Sequence, residues 1–186
     1  MPYEFTILDM KLIYRADKDG YDLKKILGLD EIYPKESNIL ILIETMKNEK
    51  FGFAMDHLIM HTNNKYLRPG IAVLFTIKPL IEIFKLNSDS DEVLYFDTDT
   101  LIFGNGPNGP AIHLDQELIS GETYEGTCFN NPCLIEGKGN SFKIKKLEDK
   151  KDIIPKVRES LNSLENINDL FEISYTFSLT RNNNKI

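Results

Sequence analysis

The amino-acid sequence predicts a mainly β fold of the α+β kind: a sandwich of two antiparallel sheets with short peripheral helices, plus a C-terminal helix. Three observations predict it. Short apolar or alternating runs recur through most of the chain, Gly, Pro, Asn and Asp separate them at short intervals, and helical spacing of apolar residues occurs in only two places.

The elements follow in order. "KLIY" (11–14) reads as a strand and "RADKDG" as a turn. In "YDLKKILGL", Asp22 is placed to cap a short helix whose apolar face is Leu23, Ile26 and Leu27, with Gly28 as its stop. "SNILILIET", the turn "MKNEK" and "FGFAMDHLI" read as a hairpin. "GIAVLFTI" and "LIEIFKL" are strands on either side of Lys78-Pro79, and "EVLYFD" and "TLIFG" are short strands around "TDT". "AIHLD" alternates Ile112 and Leu114 with His113 and Asp115, the period of a half-buried strand, and "QELIS" follows as a turn. "ETYEGTCF", "CLIEG" and "SFKIKKLE" are read as the last strands of a domain spanning residues 1–150. Beyond it, a 151–186 extension places Ile154, Val157, Leu161 and Leu164 on one helical face, with Pro155 in the first turn, before a final strand "SYTFSLT" and a polar end.

The 186 residues, 41% apolar and 27% charged, suffice for one well-packed core. The apolar run "ILILIE" is far too short to span a membrane, and the first residues carry no secretory pattern, so a cytoplasmic location is expected. The net charge is −7, and because residues 151–186 hold five basic and five acidic side chains, the whole deficit lies in residues 1–150. Such a body disfavours nucleic acid or anionic lipid as the main partner and suits a basic protein surface. Cys128 and Cys133 read as reduced thiols.

Gly104, Gly106 and Gly109 reproduce the G-x-G-x-x-G spacing of dinucleotide loops. Such a loop must open a helix. Here Pro107 and Pro110 interrupt it and a strand pattern follows, so the glycines read as a strand–turn–strand connection and no nucleotide cofactor is expected. His57 and His61 are four apart but lack the glutamate of a zinc helix. Asp89, Asp91, Asp97 and Asp99 lack the glycine and register of a calcium loop. A Cys128 or Cys133 pair with His113 would make a nucleophile and base, but nothing in the spacing places them together.

The ordered set of motifs resembles the TLDc domain, the module of the oxidation resistance protein family. "KLIYRADKDGYDL" resembles its opening strand, turn and helix, "FGFA" its Phe-Gly strand, and "YLRPGIAVLFTIKPLIEIFKL" its glycine loop and paired strands. The nearest likeness is "LIFGNGPNGPAIHLDQELISGETYEGTCFNNPCL", where Gly104, Gly106, Gly109, Leu114, Asp115, Leu118, Gly121, Phe129, Asn131 and Leu134 match the family pattern and Cys128 replaces its threonine. "FKIKKLE" resembles the closing strand, so the likeness runs from about residue 10 to residue 149.

The resemblance implies a β-sandwich, no established enzyme activity, a part in oxidative stress resistance, and binding to the vacuolar proton-pumping ATPase, whose assembly several members regulate. Peripheral subunits of that pump, or another large assembly, are the expected partners. The candidate partner-binding residues are Gly104, Gly106, Gly109, Asp115, Glu117, Gly121 and Glu122, on loops that a rigid sheet would present. Each glycine is expected to serve the fold first. Asp115 is expected to cap the turn after it, and Glu117, Glu122 and Glu125 to form an acidic stretch. Two rival readings are an interaction protein attached to another assembly through the 151–186 extension, and a thiol-dependent antioxidant enzyme using Cys128.

Overall fold

The computed structural model describes residues 14–27, 39–56, 61–137 and 139–145. Residues 11–13, His57, the expected helix stop at Gly28, the boundary at 150 and the helix through Ile154, Val157, Leu161 and Leu164 lie outside them.

The segment "RADKDG", read as a turn, is a single helical turn, α1 (Ala16–Asp19), which ends at Gly20 with φ 100°. Helix α2 (Leu23–Leu27) follows, and Asp22 caps it as expected by accepting the Lys24 N–H at 2.9 Å. Leu23 is fully buried, so this short helix is held by its docking and not by its length.

Among the described residues nine strands follow: β1 (Ile39–Glu44), β2 (Lys50–Met55), β3 (Ala72–Lys78), β4 (Glu82–Lys85), β5 (Leu94–Phe96), β6 (Thr100–Phe103), β7 (Ile112–Asp115), β8 (Ser120–Glu122) and β9 (Ser141–Lys143). They form two antiparallel sheets, β1-β2-β3-β4 and β5-β6-β7-β8-β9, each in sequence order. Consecutive hairpins cost little loop entropy, which is why turn signals in the sequence map directly onto this topology. The first turn is secured by Thr45, whose hydroxyl donates to Glu49 at 2.6 Å while Asn48 takes φ 64°. The turn before β6 is secured by Asp97, whose carboxylate accepts the Asp99 and Thr100 N–H groups at 2.8 and 2.9 Å.

The pleat assigns every strand residue to a face. Ile39, Ile41 and Ile43 of β1, Phe51, Phe53 and Met55 of β2, Ala72 and Leu74 of β3, and Phe84 of β4 point inward. Opposite them lie Leu94, Phe96, Leu101, Phe103, Ile112, Leu114 and Phe142 of the second sheet. The layers meet through aromatic rings. Phe53 stacks on Phe103 with centroids 4.0 Å apart, Phe103 on Phe129 at 5.0 Å, and Phe51 meets Phe142 edge-on at 5.2 Å. Gly52 lets β1 and β2 pair closely, because a Cβ there would lie 1.9 Å from the Ile41 carbonyl oxygen.

Two expected strands are corrected. "ETYEGTCF" contributes only its first residue, Glu122, to β8, whose Ser120 comes from the expected turn "QELIS", and "CLIEG" is no strand. Their apolar residues are buried all the same: Cys128, Phe129, Leu134 and Ile135 plug the core from a loop. Side chains satisfy the backbone that a ladder would otherwise serve. Asn131 Nδ2 donates to the Tyr124 and Pro132 carbonyls at 2.9 Å, and Thr123 Oγ1 accepts the Leu134 N–H at 3.2 Å. Pro132 has no N–H to give to a ladder.

The ring stack makes a direct demand on stability. Phe53→Ala is expected to lower unfolding free energy by about 3–5 kcal/mol, read as a shifted denaturant midpoint, whereas Met46→Ala, at a residue 63% exposed, should stay within about 0.5 kcal/mol.

Candidate functional site

Strand β7 carries a candidate loop at each end. Gly104, Gly106 and Gly109 lie in the β6–β7 connection, Asp115 ends β7, and Glu117 lies in the β7–β8 connection. Because the strands alternate in direction, these loops sit at opposite ends of the sheet. They are separated by a four-residue strand, about 13 Å at the usual rise. The acidic stretch is likewise divided. Glu125 neighbours the first loop through Asn108, whose amide donates to its carbonyl at 3.5 Å. Glu117 belongs to the other end, and Glu122 lies on the sheet face between them.

The first loop is closed by the Ala111 N–H donating to the Gly104 carbonyl at 2.8 Å and the Gly109 N–H to that of Gly106 at 3.1 Å. Gly104 takes φ 71° and Gly109 φ 130°, conformations that side chains rarely adopt. Both are also walled in. A Cβ on Gly104 would come 2.8 Å from the Phe129 ring, and one on Gly109 2.6 Å from the Tyr124 ring. At Gly106 the same atom would find ordinary contact, 3.5 Å from the nearest neighbour. Gly121 faces inward, where a Cβ would lie 2.5 Å from the Phe142 ring. Gly104, Gly109 and Gly121 therefore serve packing, and no helix follows the glycine loop: β7 does.

Asp115 caps its turn as expected. Its carboxylate accepts the N–H groups of Ile119 and Ser120, each at 3.1 Å, and the Ser120 hydroxyl at 2.5 Å. Leu118 takes φ 50° inside this turn. The Gln116 carbonyl accepts the Leu23 N–H at 2.9 Å, which ties α2 to the same loop. Glu117 is exposed.

The outer face of the second sheet carries a polar chain that sequence spacing does not reveal. His113 and Glu122 pair directly across β7 and β8, and Thr100 comes in from β6. The His113 Nε2 lies 2.8 Å from Thr100 Oγ1 and its Nδ1 lies 3.8 Å from Glu122 Oε2, which also accepts the Tyr124 hydroxyl at 3.1 Å. Farther along the face, the Tyr95 hydroxyl donates to Asp97 at 2.8 Å and to Asn64 at 3.2 Å. Alternation in "AIHLD" marks His113 as outward. Only register, a tertiary property, sets it between Thr100 and Glu122. Burial alone would raise the Asp97 carboxyl, but the bonds from the Asp99 N–H, the Tyr95 hydroxyl and the Thr100 N–H outweigh it and hold the group below the ordinary aspartate value.

Cys128 is 1% exposed, and burial pushes its thiol up, although Ser90 and the Arg68 guanidinium pull the other way. Arg68 is sixty residues distant in sequence, so no local spacing announced it. Cys133 is half-buried, and its thiol donates to the Thr123 carbonyl at 3.3 Å. The His113 ring is engaged by Thr100 and Glu122. Among the described residues no group of three His, Cys, Asp or Glu side chains is placed to hold a metal ion, and no helix is long and apolar enough to cross a membrane.

Comparison with known proteins adds the family context. The family model of the TLDc domain matches residues 1–148. Oxidation resistance protein 1 of Xenopus tropicalis is 30% identical over 131 residues, which is 68% of this chain and 14% of the relative. The Homo sapiens protein of the same name is 28% identical over 141 residues, 74% of this chain and 15% of the relative. Nuclear receptor coactivator 7 of Homo sapiens is 27% identical over 138 residues, 74% of this chain and 14% of the relative. The chain thus spans 14–15% of the length of these relatives.

The glycine geometry separates three positions of one motif. Gly104→Ala and Gly109→Ala should each destabilise by about 1–3 kcal/mol, while Gly106→Ala should stay within about 0.5 kcal/mol, all read by thermal or denaturant unfolding. For Asp97, the carboxyl resonance is expected to titrate with a midpoint below the unperturbed value of about 3.9. A depressed folded-state pKa gives stability that is present above the unfolded value and lost as pH falls through the folded one. The 97–100 turn should therefore loosen in acid, and a midpoint at or above the unperturbed value would contradict the hydrogen bonding described.

Proposed function

The chain belongs to the TLDc domain family, and from that premise we propose that it is a non-enzymatic protein-binding module serving oxidative stress resistance. Its proposed partner is a basic protein surface, with the peripheral subunits of the vacuolar proton-pumping ATPase as the specific candidate, regulation of that pump's assembly as the role and the cytoplasm as the location. The observation that carries this reading is the family match over residues 1–148, which takes in every strand of both sheets. The name of its relative, oxidation resistance protein 1, supports the stress role. The pump as partner comes from what the family resemblance implies.

The chemistry of the chain agrees with binding. The net charge of −7 and the carboxylates on and beside the second sheet's outer face (Asp97, Asp99, Glu117 and Glu122) favour a cationic partner. A thiol-dependent reaction would need an exposed cysteine of lowered pKa, and Cys128 has the opposite environment. Attachment through residues 151–186 is the second reading, and it concerns a segment outside the described residues.

A tagged full-length chain, incubated with native extract, is expected to capture peripheral subunits of the pump. Glu117→Lys should weaken that capture, and added salt should weaken it further, since the screening length shrinks to about 8 Å at physiological ionic strength. Capture of a different assembly with none of those subunits would refute the partner. In a peroxide titration followed by peptide mass analysis, Cys128 should stay reduced, and its selective oxidation at the lowest doses would restore the enzyme reading.

A further inference from the structure

The two outer faces of the sandwich are chemically opposite. The second sheet presents Tyr95, Thr100, Ile102, His113, Asp115 and Glu122 to its outside, Ile102 being the apolar member of the row. On the first sheet, the residues alternating with the core set are Leu40, Leu42 and Glu44 of β1, Lys50, Gly52 and Ala54 of β2, Val73, Phe75 and Ile77 of β3, and Ile83 and Lys85 of β4. This face is apolar at its centre and charged at its rim, where Glu44, Lys50 and Lys85 lie. At its centre Phe75 lies over Gly52, where a Cβ would come 3.0 Å from the ring, and Phe75, Ala54 and Val73 keep only 3, 6 and 8% of their surface exposed. Among the described residues the apolar cluster here consists of Ala54, Val73, Leu40, Ile71 and Ile83, all from this sheet or the residue leading into β3. Leu80 and Ile81, in the β3–β4 connection beside it, are 67 and 39% exposed. A two-layer sandwich whose outer face is apolar needs a third layer.

The path of the chain points to what supplies that layer. After β9 the backbone crosses to the edge of the first sheet, where Ile144 bridges Thr45 and the Lys145 N–H donates to the Glu44 carbonyl at 2.8 Å. Glu44 belongs to the outward set of β1, and its buried carboxylate holds the Lys145 ammonium at 2.9 Å and that of Lys50 at 3.6 Å. The chain is thus delivered to the rim of the apolar face with 41 residues still to come. Nine residues later comes Ile154, within a reach of about 30 Å. As the helix that its spacing predicts, the stripe Ile154, Val157, Leu161 and Leu164 would cover ten steps, about 15 Å. Four strands at their normal spacing are about 14 Å across. The family model ends at 148, so residues 151–186 lie beyond the matched family domain.

We infer that the 151–186 extension lays its apolar stripe across the outer face of β1–β4 as a third layer of the same chain. The extension is then an intramolecular cover. The first sheet is closed to partners, and the second sheet's polar face is left as the open binding surface. The inference stands on the first sheet alone and is independent of which partner the module binds.

The test uses the full chain with Cys133→Ser and a nitroxide on Ser163→Cys, opposite the stripe. Methyl signals of Leu40, Val73 and Ile83 should be broadened, while those of Ile102, on the other outer face, should keep their intensity. Adding Leu161→Asp should restore the broadened signals with Leu74 in the core unshifted. Broadening at Ile102, no broadening at the first face, or broadening that persists with Leu161→Asp would each overturn the inference. So would broadening that appears only when nitroxide and methyl labels sit on different chains, since a second copy would then be the cover.

Discussion

The contact on which the rest of this molecule depends is the aromatic stack between its two sheets. Phe53 reaches across from β2 to Phe103 of β6, and Phe129 continues the stack from the loop after β8. Phe51 and Phe142 make a second bridge from the same strand to the last one. All five rings are almost fully buried. Each contributes about 1.5–3 kcal/mol of burial, with about 0.5–1.5 kcal/mol more from ring geometry. Strand β2 is the common member, flanked by β1 and β3, so one strand joins the layers at two points.

The same stack shapes the glycine loop. Phe129 can reach Phe103 because Gly104, next in the chain, presents no side chain to it. Tyr124 lies against Gly109 for the same reason. A motif whose spacing resembles a phosphate cradle is therefore the accommodation of two rings by backbone. The loop of residues 123–135 is, in turn, irregular because it must deliver Phe129 and Leu134 to the core. Thr123 and Asn131 supply the hydrogen bonds that regular structure would have provided.

With the interior spent on packing, chemistry is confined to the surface. The second sheet shows a connected row of polar groups from Thr100 through His113 and Glu122 to Tyr124, while the first is apolar at the centre of its outer face, at Ala54, Val73 and Phe75.

Much of this was legible in the sequence. Alternation and turn residues located β1 to β7 and β9, because a half-buried antiparallel strand writes its period of two into the chain. The capping roles of Asp22 and Asp115 were equally legible, since a cap acts over two to five residues. The reading of "CLIEG" as a strand failed because apolar content reports burial but not the route by which backbone groups are satisfied. Only the tertiary structure decided that Gly104 and Asp115 stand at opposite ends of β7, that Arg68 comes near Cys128, and that His113 sits between Thr100 and Glu122. Local sequence determines which residues turn and which face inward, whereas strand register and the meeting of distant segments are settled by packing the whole core at once.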